Sequence, residues 1–79
     1  MKTYAQKIKD QQAIALNKLV EFCGSQATLG RLLGATDQTV SGWVKRGRIS
    51  KKEAINAELL TSSIIKKTDL RPDVFWESN

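Results

Sequence analysis

The sequence contains no histidine, a single cysteine and a single proline. Without histidine it lacks the commonest general base and the commonest metal ligand. Cys23 has no second cysteine to pair with, so no intrachain disulfide can form, and no Cys/His spacing of a zinc site exists. A cysteine nucleophile needs a neighbouring base, and no histidine is there to serve. Cys23 therefore reads as a small apolar residue on the inner face of a helix. No catalytic constellation remains, so the chain is not expected to be an enzyme, and no cofactor, metal or small-molecule ligand is expected. Apolar runs long enough to span a bilayer are also missing. Met1-Lys2-Thr3-Tyr4 do not lead into the apolar stretch of a signal peptide. The expected location is the cytoplasm, without a membrane partner.

Period-two alternation is scarce, and no repeat, linker or low-complexity segment interrupts the chain. The lone Pro72 lies near the C-terminus, so everything before it is free to be helical. What is present is an apolar period near 3.6, which points to an all-α domain. The 79 residues suffice for one compact domain with a limited core. Lysine and arginine number 13 against 8 acids, a net charge of +5. That excess favours polyanionic partners through counterion release from phosphates, although many small basic proteins bind none.

Four helices and a short fifth element are expected. The first runs from about Lys7 or Asp10 to Cys23, with Ile8, Ala15, Leu19 and Phe22 on its inner stripe and Leu16, Val20 and Cys23 widening it. Gly24 ends it. Ser25 caps a second helix, whose inner residues are Leu29, Leu32 and Leu33, and Gly34 stops that one. Thr36 caps a third, carrying Val40, Trp43 and Val44 and ending near Gly47. Ser50 and Glu53 form a capping box for a fourth, through Ile55 and Leu59 to about Thr61. Ile64 and Ile65 precede a short turn or helix from Thr68. The apolar tail is Leu70, Val74, Phe75 and Trp76.

The segment from Gln26 to Lys45 carries the most information. Two helices crossing through a tight turn need a tiny residue where they touch, and Gly30 stands there. The turn needs a positive φ, which Gly34 supplies. Leu29, Leu33, Ala35, Val40 and Trp43 fill the shared core, and Thr36 caps the second of the two helices. An ordinary helical hairpin would explain the leucines equally well. It would not explain an outer face of Asp37, Gln38, Ser41, Gly42 and Lys45 followed by Arg46 and Arg48. Those are the groups of a helix-turn-helix that reads double-stranded DNA, in which the second helix enters the major groove by its N-terminal end. Trp43 shares the register of Val40 and Val44 and so reads as core, not as a base-stacking aromatic.

Roles follow from that docking. Asp37, Gln38, Ser41, Gly42 and Lys45 are the candidate base readers. Gln38 matches the N6 and N7 edge of adenine, whereas Asp37 either accepts from cytosine N4 or only complements the helix dipole. Ser41 suits a base or a phosphate. Gly42 either lets the helix approach a base pair or is a tolerated surface glycine. The candidate phosphate contacts are Gln26, Thr36, Thr39, Arg46, Arg48 and Lys51. Lys51 and Lys52 oppose the dipole of their own helix, which suits either a nearby phosphate or plain solvation.

The stretch from Gly24-Ser25-Gln26-Ala27 to Val44-Lys45-Arg46-Gly47-Arg48-Ile49, together with Leu70-Arg71-Pro72-Asp73-Val74-Phe75, resembles the Cro-type phage repressors, especially the YdaS-like antitoxin group. The resemblance spans roughly residues 13–76. The chain departs from the group at Gly30, where alanine is commoner, and at Ser50, where a proline commonly stands. The resemblance implies a lambda-repressor-like fold of four to five helices and a repressor that binds a pseudo-palindromic operator as a dimer. Half-sites would lie about 34 Å apart. On this reading residues 1–9 are an N-terminal extension or the start of the first helix, 10–76 are the DNA-binding domain, and 77–79 are the C-terminal end. The tail with Leu70, Val74, Phe75 and Trp76 either pairs two subunits or folds back over the first helix of its own. The alternative function is an antitoxin or adaptor that acts mainly through a protein partner.

Overall fold

A computed structural model describes residues 1–75, with no strand among them. The helices are α1 (Tyr4–Cys23), α2 (Gln26–Leu33), α3 (Asp37–Arg46), α4 (Lys51–Leu60) and α5 (Lys67–Leu70). The all-α architecture and the order of its elements are as expected. The start of α1 is not. Thr3 caps it, its hydroxyl accepting from Gln6 N at 3.2 Å while Gln6 Oε1 accepts from Thr3 N at 2.9 Å. This reciprocal box is a Thr-x-x-Gln signature, and residues 4–9 are the first turns of α1, the second of the two alternatives for this segment.

Ala15, Leu16 and Leu19 of α1 enter the core, beside an almost fully buried Gln12. Phe22, expected inside, is 49% exposed because it sits at the edge of this stripe in the last turn. In α2, Leu29 is buried and Leu33 partly so, but Leu32 is 54% exposed. The packed side of α2 runs through Leu29, Leu33 and Gly30, and Leu32 lies beyond Leu29 on the far side.

In α4 the large apolar residues Ile55 and Leu59 are both exposed, and the buried positions are Ala54 and Ala57. The helix is apolar on several sides, so its periodicity does not single out one face. α4 packs against α5 and α2. Its capping box is half made: Ser50 Oγ accepts from Glu53 N, while the Glu53 carboxylate turns to Asn56 Nδ2 at 2.8 Å. Beyond α4, the buried Thr61 hydroxyl donates to Ala57 O and accepts from Ile65 N, both at 3.0 Å. These bonds pin a turn in which Ser62 and Ser63 take positive φ.

The tail folds back on its own chain. Leu70 is fully buried, α5 packs on α1 and α4, and Phe75 leans on the core. Leu70 is thus removed from any pairing surface between subunits, and Trp76 lies outside the described residues. A polar clamp holds the fold-back. Asp73 takes Arg71 Nε and Nη2 at 2.9 and 2.8 Å and Gln12 Nε2 at 2.9 Å. Arg71 also donates to Ile49 O at 3.1 Å, so the clamp joins α1, the α3–α4 connection and the tail.

The α2–α3 crossing is tight at Gly30. A Cβ there would lie 2.9 Å from Ala35 O and 3.2 Å from Val40 Cγ2. A backbone oxygen cannot swing aside, so overpacking of about 1–3 kcal/mol should outweigh about 1 kcal/mol of gained helix propensity in Gly30→Ala. The urea midpoint should fall; an equal or higher midpoint would show slack in the crossing. The clamp predicts a pH effect. The Arg71 guanidinium, and to a lesser degree Gln12, hold the Asp73 carboxyl below its usual range. A depressed folded-state pKa gives stability that is complete above the unfolded value, about 3.9, and lost as pH falls through the folded one. Asp73→Asn should lower the thermal midpoint at neutral pH and flatten its decline in acid. An acid decline as steep as that of the unaltered chain would remove Asp73 from that effect.

Candidate nucleic-acid interface

Both ends of α3 are defined by the sequence around it. Thr36 Oγ1 accepts from Thr39 N at 3.2 Å, and the two hydroxyls lie 2.9 Å apart. Asp37 occupies the first turn, where its charge complements the dipole. Gly47, at φ 76°, closes the far end. Val40 and Trp43 anchor the inner face at 0% and 2% exposure, which settles Trp43 as core.

The five candidate base readers come together on the opposite face. Asp37, Gln38, Ser41, Gly42 and Lys45 line one shallow, open depression along the helix. Asp37, Gln38 and Lys45 are exposed, and Ser41 and Gly42 are partly covered. Gly42 has a neighbour that the sequence did not suggest. The Arg46 guanidinium lies over it, with Nη1 3.3 Å from where a Cβ would be. The missing side chain makes room for the arginine one turn on.

The candidate phosphate contacts are more scattered. Gln26 is exposed at the start of α2, just after the Ser25 cap. Thr36 and Thr39 are exposed, but their hydroxyls are engaged in the α3 cap. They share a depression with Lys52. Lys51 is turned elsewhere, its ammonium 5.8 Å from the centre of the Phe75 ring, a cation–π contact that Lys67 makes from 5.3 Å. Arg46 and Arg48 are exposed at the C-terminal end of α3. There they line a separate cleft with Lys9 and Gln12 of α1. Neither α1 residue stands out in the sequence as part of a site, because the juxtaposition is long-range.

The cations of this face are in no described ion pair, although Asp37 shares the depression with Lys45. Among the described residues the ion pairs are Lys2 with Asp10 and Arg71 with Asp73, and neither uses Lys45, Arg46 or Arg48. Among the described residues no three His, Cys, Asp or Glu side chains gather to hold a metal. Burial pushes the Cys23 thiol above its usual range. No described helix is long and apolar enough to cross a membrane.

A family model described as bacterial toxin YdaS matches residues 16–79. The chain belongs to that family. It is also 42% identical over 62 residues to a protein named regulatory protein Cro from Pseudomonas phage D3, covering 76% of this chain and 84% of that one. The solved structure of the Cro protein from putative prophage element Xfaso 1 in Xylella fastidiosa strain Ann-1 superposes with a TM-score of 0.75. The identity there is 32%, over 80% of this chain and 97% of that one. These similarities place the chain in the Cro-type group that its motifs resemble, with the family match beginning midway along α1.

Gly42→Ala should behave in the opposite way to Gly30→Ala. The new Cβ would meet only the movable end of Arg46, and a mid-helix alanine gains about 1 kcal/mol over glycine. The thermal midpoint should rise. A fall would show that Arg46 is fixed over Gly42 too firmly to move.

Proposed function

We propose that the protein is a sequence-specific double-stranded DNA-binding transcription regulator, a Cro-like repressor that occupies a pseudo-palindromic operator as a dimer. The observation that carries this reading is the two-sidedness of α3. Its inner face is locked by Val40 and Trp43, while its outer face gathers four polar side chains and a glycine in one depression, flanked by cations without described ion-pair partners. The regulatory role named for the Cro relative from phage D3 supports the same reading.

In the proposed complex α3 enters the major groove by its N-terminus. Gln38 reaches base edges first and pairs its amide with adenine N6 and N7. Asp37 accepts from cytosine N4, Ser41 bonds a base or a phosphate, and Lys45 follows deeper along the helix. Gln26, with the free amides at the start of α2, meets a phosphate of the groove wall. Arg46 and Arg48 neutralise phosphates further along. The protein would act in the cytoplasm on DNA, blocking transcription by occupying the operator.

Single substitutions test the assignment. Gln38→Ala should weaken binding to the preferred operator by about 1–3 kcal/mol and relax preference at one position per half-site. Binding to random duplex should barely change, since no charge is lost. Competition against operators altered one base pair at a time reads both effects. Unaltered base preferences would exclude Gln38 as a reader and leave the code to Asp37, Ser41 and Lys45. Alanine at Lys45, Arg46 or Arg48 should flatten the salt dependence of binding by about one unit of slope each, on any sequence. An absence of salt-dependent duplex binding in the unaltered chain would favour the antitoxin or adaptor reading, with a protein as partner.

A further inference from the structure

We infer that α1 takes part in DNA binding: Lys9 joins Arg46 and Arg48 in a cleft that holds one backbone phosphate beside the region α3 reads. The inference rests on the DNA-binding reading above and extends it to a helix outside the helix-turn-helix. Lys9 lies in the part of α1 that the family match, which begins at residue 16, does not reach. The cleft is built from two elements that abut. Ala13 Cβ is 3.5 Å from where a Cβ on Gly47 would stand, so the first half of α1 lies against the end of α3. Gln12, 3% exposed, lines the cleft with Lys9, Arg46 and Arg48 and is held from behind by Asp73 at 2.9 Å.

Charge selects the ligand. Three cations share one cleft, and no carboxylate among the described residues lines it. The carboxylate one bond away, Asp73, is engaged by Arg71 through both of its oxygens. None of the three cations has an ion-pair partner among the described residues. Like charges so gathered repel, and an anion with several acceptor oxygens relieves that repulsion while accepting from all three. A phosphodiester of the duplex fits on position as well as charge, because the cleft continues from the end of the helix whose other end would enter the groove. A free phosphate shares the chemistry but gains nothing from that continuity.

The test uses the full chain with Lys9→Ala, Lys9→Arg and Lys18→Ala. Lys18 is exposed on the same helix, and nine residues at 100° each place it on the opposite side from Lys9. Binding to a random duplex and to the preferred operator is measured as a function of salt. Lys9→Ala should reduce the slope by about 0.9 on both duplexes and leave base preferences intact, Lys9→Arg should restore it, and Lys18→Ala should leave it unchanged. Equal effects of Lys9→Ala and Lys18→Ala would overturn the inference in favour of net charge alone. A flattened slope in Arg48→Ala but not in Lys9→Ala would also overturn it, while leaving α3 as the DNA-reading helix. Loss of inorganic phosphate binding in Lys9→Ala without any change on duplex DNA would make the cleft a small-anion site instead. If the unaltered chain showed no salt-dependent duplex binding, the underlying reading would fail before Lys9 was at issue.

Discussion

The rest of the molecule depends on how closely α2 can approach α3. The contact is made where Gly30 meets the Ala35 carbonyl and Val40, with less room than a methyl group needs. That approach sets the angle between the helices, and the angle decides which face of α3 turns inward. Once Leu29, Val40 and Trp43 are buried against one another, Asp37, Gln38, Ser41, Gly42 and Lys45 have nowhere to point but outward. The short connection from Gly34 to Thr36 belongs to the same device. Ala35 N donates to Gly30 O at 2.7 Å, which brings the chain back over the glycine before Thr36 starts the next helix.

A second constraint makes the rest of the chain serve as the mount for this pair. Small domains bury little, and here the tail adds to the core, with α5 and its buried Leu70 packed on α1 and with Phe75 packed against the core cluster. Polar groups hold it there: Gln12, Asp73 and Arg71 satisfy one another and reach Ile49 O just beyond α3. A buried glutamine left unpaired would cost more than its hydrogen bond returns, so the clamp works as a unit. It also fixes α1 against the end of α3, which is what brings Lys9 near Arg46 and Arg48.

Most of the helix-turn-helix was legible because it is written in local chemistry. Ser25, Thr36 and Ser50 each cap the helix that follows, and Gly34 and Gly47 each end one in the left-handed region. Such signals act within four residues and survive without knowledge of the fold. The Thr3–Gln6 box is equally local, but it stands ahead of the apolar stripe, which begins only at Ile8. Which face each helix buries is a different kind of question. In α4 the large apolar Ile55 and Leu59 are exposed, while the small Ala54 and Ala57 are buried. Phe22 and Leu32, both expected inside, are exposed as well, since an apolar residue at the margin of a stripe is buried only if another element reaches it. For the candidate site, the α3 face was legible as one helical period, whereas the turning of Lys51 towards Phe75 and the cleft beneath Lys9 depend on contacts more than twenty residues apart.

The arrangement divides labour between rigidity and charge. Ten residues are too few for an isolated helix to persist in water, so α3 owes its order to Thr36, Gly47 and the burial of Val40 and Trp43. A helix already ordered loses little conformational entropy when a partner docks on it, which leaves more of the contact energy to appear as affinity. The cations around it follow the opposite rule. Lys45, Arg46 and Arg48 have no described ion pair, so no described salt bridge would have to break for an anion to approach them. Arg71 shows the contrast: its guanidinium is committed to Asp73 and Ile49 O, and it stabilises the mount instead of the surface. Pairing therefore separates the arginine that maintains the fold from those without a described partner.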